Sequence, residues 1–243
     1  MRGRRIGAEE YAQLAARNAL LDLEWPPCRA GCPVHADVRG YIELIARGRY
    51  RDALALIMER LPFPAACGRI CHHPCEQACR RDGVDEPISI REMKRFVAEY
   101  PYPEPLRFPK PKQDKEQVAV IGGGPSGLTA ALELAAMGYR PVVFDRNARP
   151  GGLLASAVPV YRLPREVLAK DTDAILSRGV EFRGGVEIGK NLSFVDLRKQ
   201  GFKAIILAVG LAKSRALPIP GADAEGVMTV SYTHLTLPTI YSV

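Results

Sequence analysis

The sequence has no run of about 18 uncharged apolar residues, the length a membrane-spanning helix requires, so no span is expected. It has no cysteine beyond Cys79, which confines any thiol chemistry to the first third of the chain. Aromatic residues are scarce, 7% with a single tryptophan, and no long block of one charge sign occurs. The net charge of +7 is spread evenly: 20 basic against 16 acidic residues through position 115, then 14 against 11. Nucleic-acid recognition would concentrate that charge and interleave it with aromatics, so none is expected. A mildly basic surface suits an acidic partner or a nucleotide phosphate. The basic start, Met1 to Arg5, leads into Ala8-Glu-Glu-Tyr11 rather than an apolar signal core, which places the protein in the cytoplasm.

What is present divides the 243 residues in two. Pro101-Tyr-Pro-Glu-Pro-Leu-Arg-Phe-Pro-Lys-Pro111 holds five prolines in eleven residues and cannot continue a helix or a central strand. It reads as a stiff linker over 101–115, between a unit at 1–100 and a second at 116–228. Apolar residues at helical spacing predict helices over Glu9–Leu23, Val38–Ala46, Tyr50–Met58 and Ile90–Tyr100. The cysteines then fall in the loops between helices. Past the linker, Gln117–Ile121, Pro141–Phe144 and Ala204–Val209 read as buried strands alternating with helices, the first of these helices spanning Leu128–Met137. That pattern implies a parallel sheet. The fold class is an all-helical unit followed by a Rossmann-like α/β unit.

Residues 229–243 contain no Lys, Arg, Asp or Glu but four Thr, two Ser and two Tyr. Ser231-Tyr-Thr-His-Leu-Thr-Leu-Pro-Thr239 resembles translated sequencing-adapter readthrough, so this tail is expected to be non-native, and the chain a fragment of a longer protein.

Gly122-Gly-Gly-Pro-Ser-Gly127 fits G-x-G-x-x-G between a strand and a helix, with a second strand ending in Asp145. That is the context of a dinucleotide fingerprint. Gly122 permits the tight turn, Gly124 lets backbone approach a pyrophosphate, and Gly127 allows helix to pack on strand. Pro125 and Ser126 open the helix whose free amides meet the phosphates. Asp145, with Arg146 beside it, reaches the ribose hydroxyls. Gly152 and Leu153 lie in Arg149-Pro-Gly-Gly-Leu153, a second phosphate contact, and Gly210 ends Ala208-Val-Gly210 ahead of Ile219-Pro-Gly-Ala-Asp223. These resemble the patterns of flavoproteins with two dinucleotide domains and favour FAD. A second glycine loop, for NAD(P)H, is expected beyond residue 228. A disulfide reductase would need a redox-active cysteine pair near the isoalloxazine, and none follows Cys79.

The cysteines run Cys28-x3-Cys32-Pro33, then Cys67-x3-Cys71-x3-Cys75-x3-Cys79. In a cytoplasmic chain such density suggests metal rather than disulfides. Four thiolates close one [4Fe–4S] cube. The rival is structural zinc, with His35, His72 and His73 as further ligands and the chain as an interaction module; inert buried thiols are the third reading. A flavin alongside favours the cluster, since zinc has no redox chemistry.

Cys28-Arg-Ala-Gly-Cys-Pro-Val-His35, Gly40–Tyr50, Phe63–Cys71, Pro74–Cys79, Pro87–Phe96, the glycine loop and Tyr161-Arg-Leu-Pro-Arg165 together resemble the glutamate synthase small-subunit family and related NAD(P)H-dependent oxidoreductases. The resemblance implies a helical iron–sulfur domain, then an FAD domain with an NADPH domain inserted. It implies hydride transfer from NAD(P)H to FAD and single electrons leaving through clusters to a partner redox subunit or ferredoxin-like acceptor. In glutamate synthase that partner reduces 2-iminoglutarate. No side chain need act as an acid or base, because the flavin carries the chemistry.

The family has an additional C-x-x-C upstream of the position of Cys28, where this chain has Arg17-Asn-Ala-Leu-Leu21. One family cluster draws on that pair plus the matches to Cys28 and Cys79. The other uses the matches to Cys32, Cys71 and Cys75 and a non-cysteine side chain from the helix matching Ile90–Phe96. Lys94 stands near there and is a poor ligand, and Cys67 is the substitute. The resemblance therefore implies one cluster, on Cys32, Cys67, Cys71 and Cys75.

Overall fold

The computed structural model describes residues 25–104, 108–211, 218–222, 224, 225 and 227. The helix expected at Glu9–Leu23, the Arg17–Leu21 stretch and the tail at 229–243 lie outside the described residues.

The first unit is built from short helices. They are α1 (Pro27–Ala30), α2 (Val38–Ala46), α3 (Tyr50–Met58), α4 (Pro64–Ile70), α5 (Pro74–Gln77) and α6 (Ile90–Glu99), with a single 3-10 turn at Arg80–Gly83. Asp37 caps α2 by accepting the Gly40 N–H at 3.1 Å. Gly48, at φ +71°, makes the left-handed turn that returns the chain into α3. The expectation that the cysteines lie in loops is corrected: Cys28, Cys67 and Cys75 sit on α1, α4 and α5. The reason is proline. Pro27, Pro64 and Pro74 stand in the first turn of these helices, where the missing N–H costs nothing and the fixed φ helps. Tyr41, Ala53, Ile57, Ile90 and Val97 form the apolar centre of this unit, with Cys75 among them.

The second unit is a parallel sheet. Its elements are β1 (Gln117–Ile121), α7 (Pro125–Ala136), β2 (Arg140–Asp145), α8 (Leu153–Ser156), α9 (Arg165–Leu176), β3 (Glu181–Gly184), α10 (Phe194–Lys199) and β4 (Ala204–Leu207). Strand order is β3-β2-β1-β4, all parallel, with Val118 opposite Pro141 on one side and Ala204 on the other. Strand order reverses at β1, so a crevice opens beyond its carboxyl end, where such sheets take ligands. Two expectations shift. α7 starts three residues earlier than Leu128, at Pro125, because the helix begins directly at the glycine loop. β4 is half-exposed rather than buried, with Leu207 64% exposed, since it is an edge of the described sheet.

The units share apolar packing. Phe63, Ala65 and Ala66 of the first belong to the same buried cluster as Leu128, Leu132, Leu163 and Leu168 of the second. The proline-rich run, free of helix and strand where described, is held at Tyr102, Phe108 and Gln113. The Tyr102 hydroxyl lies 2.8 Å from the Val97 carbonyl, the Arg178 guanidinium stacks on Phe108, and Gln113 donates to the Gly179 carbonyl at 2.7 Å.

Candidate functional site

The glycine loop crosses from β1 to α7 under close constraint. Gly122 has φ +115° and donates to the Phe144 carbonyl at 2.8 Å; a methyl group there would strike the Ala208 carbonyl. A methyl on Gly127 would overlap the Gly122 carbonyl oxygen, which is why the helix can start so near the strand. Gly124 faces open space instead: a methyl there would meet only the Gly152 Cα, at 3.7 Å. Gly152, at φ +55°, has no room for one, since it would sit 2.7 Å from the Gly124 Cα. The two backbones thus form a narrow cradle at the N-terminus of α7, lined by amides and lacking side chains. That is the shape and charge a pyrophosphate requires.

Asp145 closes the far side. Its Oδ2 accepts the Gly123 N–H at 2.6 Å, and its Oδ1 accepts from the Asn147 backbone and side chain at 2.7 and 2.8 Å. The carboxylate is therefore fixed in place, with lone pairs left for hydroxyl groups.

Of the ten residues expected to hold a nucleotide, Gly122, Gly124, Pro125, Ser126, Asp145, Arg146, Gly152, Leu153 and Gly210 line one cavity of about 440 Å³. Gly127 lies beneath it as a packing residue. The cavity also involves Asn147, Val186, Glu187 and Ile188, which sequence reasoning missed. The last three follow β3, whose Glu181-Phe-Arg-Gly184 is too short and polar to read as a strand.

The six cysteines are all free thiols. Cys67 has Cys71 and Cys32 as electrostatic neighbours, and Cys75 has the same two. Cys28 pairs with Cys79 instead. Electrostatically, Cys32 and Cys71 go with Cys67 and Cys75, and Cys79 goes with Cys28. Burial pushes Cys67 and Cys75 up to about 11, and the Lys94 ammonium pulls both back. Burial likewise raises Cys28. Cys71 at the end of α4 accepts the His73 N–H at 3.3 Å through Sγ, a bond made by the left-handed backbone of His73 at φ +48°.

Among the described residues no three His, Cys, Asp or Glu side chains converge as for a single ion. A [4Fe–4S] cube does not ask for that, because each of its four thiolates takes a different iron. The fit to such a group is tested by Lys94. It is buried, it forms no ion pair among the described residues, and its charge acts on the thiols of Cys67 and Cys75. A buried ammonium requires an anionic partner, and four thiolates supply it.

Residues 6–104 match the family described as dihydropyrimidine dehydrogenase domain II, 4Fe-4S cluster, and residues 116–236 match pyridine nucleotide-disulphide oxidoreductase. The chain is 38% identical over 208 residues to an NADPH-Fe(3+) oxidoreductase subunit beta of Geobacter sulfurreducens, covering 84% of this chain and 31% of that protein. It is 37% identical to the NADP(+)-dependent formate dehydrogenase subunit beta of Moorella thermoacetica, covering 81% and 31%. It is 37% identical to the glutamate synthase [NADPH] small chain of Mycobacterium tuberculosis, covering 90% and 45%. The chain thus spans less than half the length of these relatives. A solved structure of Mycobacterium tuberculosis FprA in complex with NADPH matches 48% of this chain and 28% of that one, at 25% identity and TM-score 0.43. The first family match names a 4Fe-4S cluster and the second a pyridine nucleotide. The chain thus joins a 4Fe-4S domain of the first family to a pyridine nucleotide-disulphide oxidoreductase domain of the second, and is similar to the glutamate synthase small chain over 90% of its own length.

Proposed function

We propose that this chain is the electron-transferring part of an NAD(P)H-dependent oxidoreductase, working through one FAD and one [4Fe–4S] cluster toward a partner redox subunit or ferredoxin-like acceptor. The observation that carries the reading is the presence of an amide-lined nucleotide crevice and a group of four neighbouring thiols in units that share one apolar core.

When bound, FAD accepts a hydride from NAD(P)H and releases its electrons singly to iron–sulfur centres. The chain's own residues bind and orient. The Gly124–Gly152 cradle and the first amides of α7 hold the pyrophosphate, and Asp145 holds the ribose. Cys32, Cys67, Cys71 and Cys75 supply the four thiolates, each surrendering its proton as the metal enters. Phe63, Ala65 and Ala66 tie the cluster helix α4 to the nucleotide unit, so the distance between the two redox sites is held fixed.

Gly124→Val tests the crevice cleanly. The backbone φ of −79° suits any residue and the space is open, so the fold survives while the isopropyl group fills the phosphate cradle. Flavin released on denaturation should fall at least about tenfold, with unchanged circular dichroism. The electron path is tested by light-driven reduction of the bound flavin, without oxygen, followed by electron paramagnetic resonance. The wild-type chain should develop the signal of a reduced cluster, and G124V should not. Flavin that bleaches while the cluster stays oxidised would overturn the proposal.

A further inference from the structure

Lys94 sits on α6 at its closest approach to α4. A methyl on Gly68 would meet the Arg95 Cα at 2.8 Å, so the two helices touch by backbone there. Lys94 and Cys67 each stand one residue before that contact, and the Lys94 charge acts on the Cys67 thiol. Lys94 is 8% exposed. The arginines on the same helix are paired, Arg91 with Glu92 at 2.9 Å and Arg95 with Glu99 at 3.3 Å. Lys94 has no carboxylate partner among the described residues, and the groups it acts on are the Cys67 and Cys75 sulfurs.

We propose that Lys94 sets the reduction potential of the cluster, by holding one unpaired ammonium against the thiolates of Cys67 and Cys75. This rests on the ligand set proposed above.

Reduction of such a centre takes one electron, donated by the reduced flavin, and no proton, so an already negative site becomes more negative. A fixed positive charge in a poorly solvated position favours the reduced form over the oxidised one. Two acids lie near enough to oppose it, Asp171 toward Cys67 and Glu76 toward Cys75. Both are engaged elsewhere. Asp171 accepts the Ala65 and Ala66 amides at 3.3 and 2.8 Å. Glu76 accepts the Arg91 N–H at 2.7 Å and lies 3.0 Å from His73 Nδ1. The Arg91 guanidinium reaches the Cys71 carbonyl rather than its sulfur. Lys94 is the buried charge with no other partner, which makes it a tuning residue rather than a ligand.

The test uses the full chain, reconstituted with iron and sulfide without oxygen, as wild type, Lys94→Met and Lys94→Arg. Iron and sulfide are counted per chain, and the midpoint potential is read by a dye-mediated titration followed by electron paramagnetic resonance. K94M should load normally and reduce at least tenfold less favourably, a fall of about 59 mV for one electron. K94R should stay close to wild type. Equal loading with an unmoved midpoint in K94M overturns the inference. Should K94M load poorly, Lys94→Gln decides: loss of iron from K94M and K94Q but not from K94R supports the role of the charge, and equal loss from all three overturns it. A wild-type chain that holds no iron and sulfide overturns the ligand set itself, and this inference with it.

Discussion

Serine in place of Cys67 or Cys75 should strip nearly all iron and sulfide from the reconstituted chain, whereas Cys28→Ser and Cys79→Ser should leave both at wild-type levels. The contrast follows from the two thiol groups. Cys67 and Cys75 are both acted on by Cys32 and Cys71, and Cys28 by Cys79. A cube missing one of four thiolates exposes an iron, and a serine hydroxyl keeps its proton near neutral pH and is a harder, weaker donor. Cys67 is the sharper test, since it is the proposed substitute for a non-cysteine ligand. The check is iron and sulfide per chain, with circular dichroism to establish folding. Loss of half the iron from C79S would mean that two clusters exist and that the pair takes part in the second.

The second large effect concerns Asp171, which joins the units. From α9 its carboxylate accepts both first amides of the cluster helix α4, while only 4% exposed. Burial pushes its titration up to about 7, with Glu99 adding to the rise and the two amides restraining it. The folded chain therefore binds this proton more readily than the unfolded chain. The stability so gained is fully present below about pH 4 and is lost as pH rises through about 7, with a ceiling of about 4 kcal/mol. The thermal stability of the flavin-loaded chain should fall between about pH 4 and pH 7 for this reason. Asp171→Asn should flatten that slope. Asp171→Leu should flatten it as well and cost about 3 kcal/mol on the acid side, because two buried amides lose their acceptor. Parallel pH profiles for wild type and D171N would contradict the assignment.

Much of this architecture was legible in the residues. Glycine at 122, 124 and 127 has a steric meaning that survives without coordinates, and an acid ending the next strand has few other uses. The proline run marks a linker for the same reason, since proline removes donors wherever it stands. The rest depended on tertiary context. Pro64 and Pro74 each start a short helix that carries a cysteine, which the cysteine spacing alone does not show. β3 escaped notice because a short, solvated edge strand carries no apolar alternation. Lys94 and Asp171 are the instructive cases. Each sits on an amphipathic helix where a charge normally marks the solvated face, and burial became visible only once α4 was packed between α6 and α9.

The iron, sulfide, zinc and flavin content of the full chain, purified without oxygen, bears on electron transfer more directly than any variant does. About four irons with matching sulfide and one FAD per chain are expected. Twice that iron would contradict the single cluster, and zinc without sulfide or flavin would contradict electron transfer altogether.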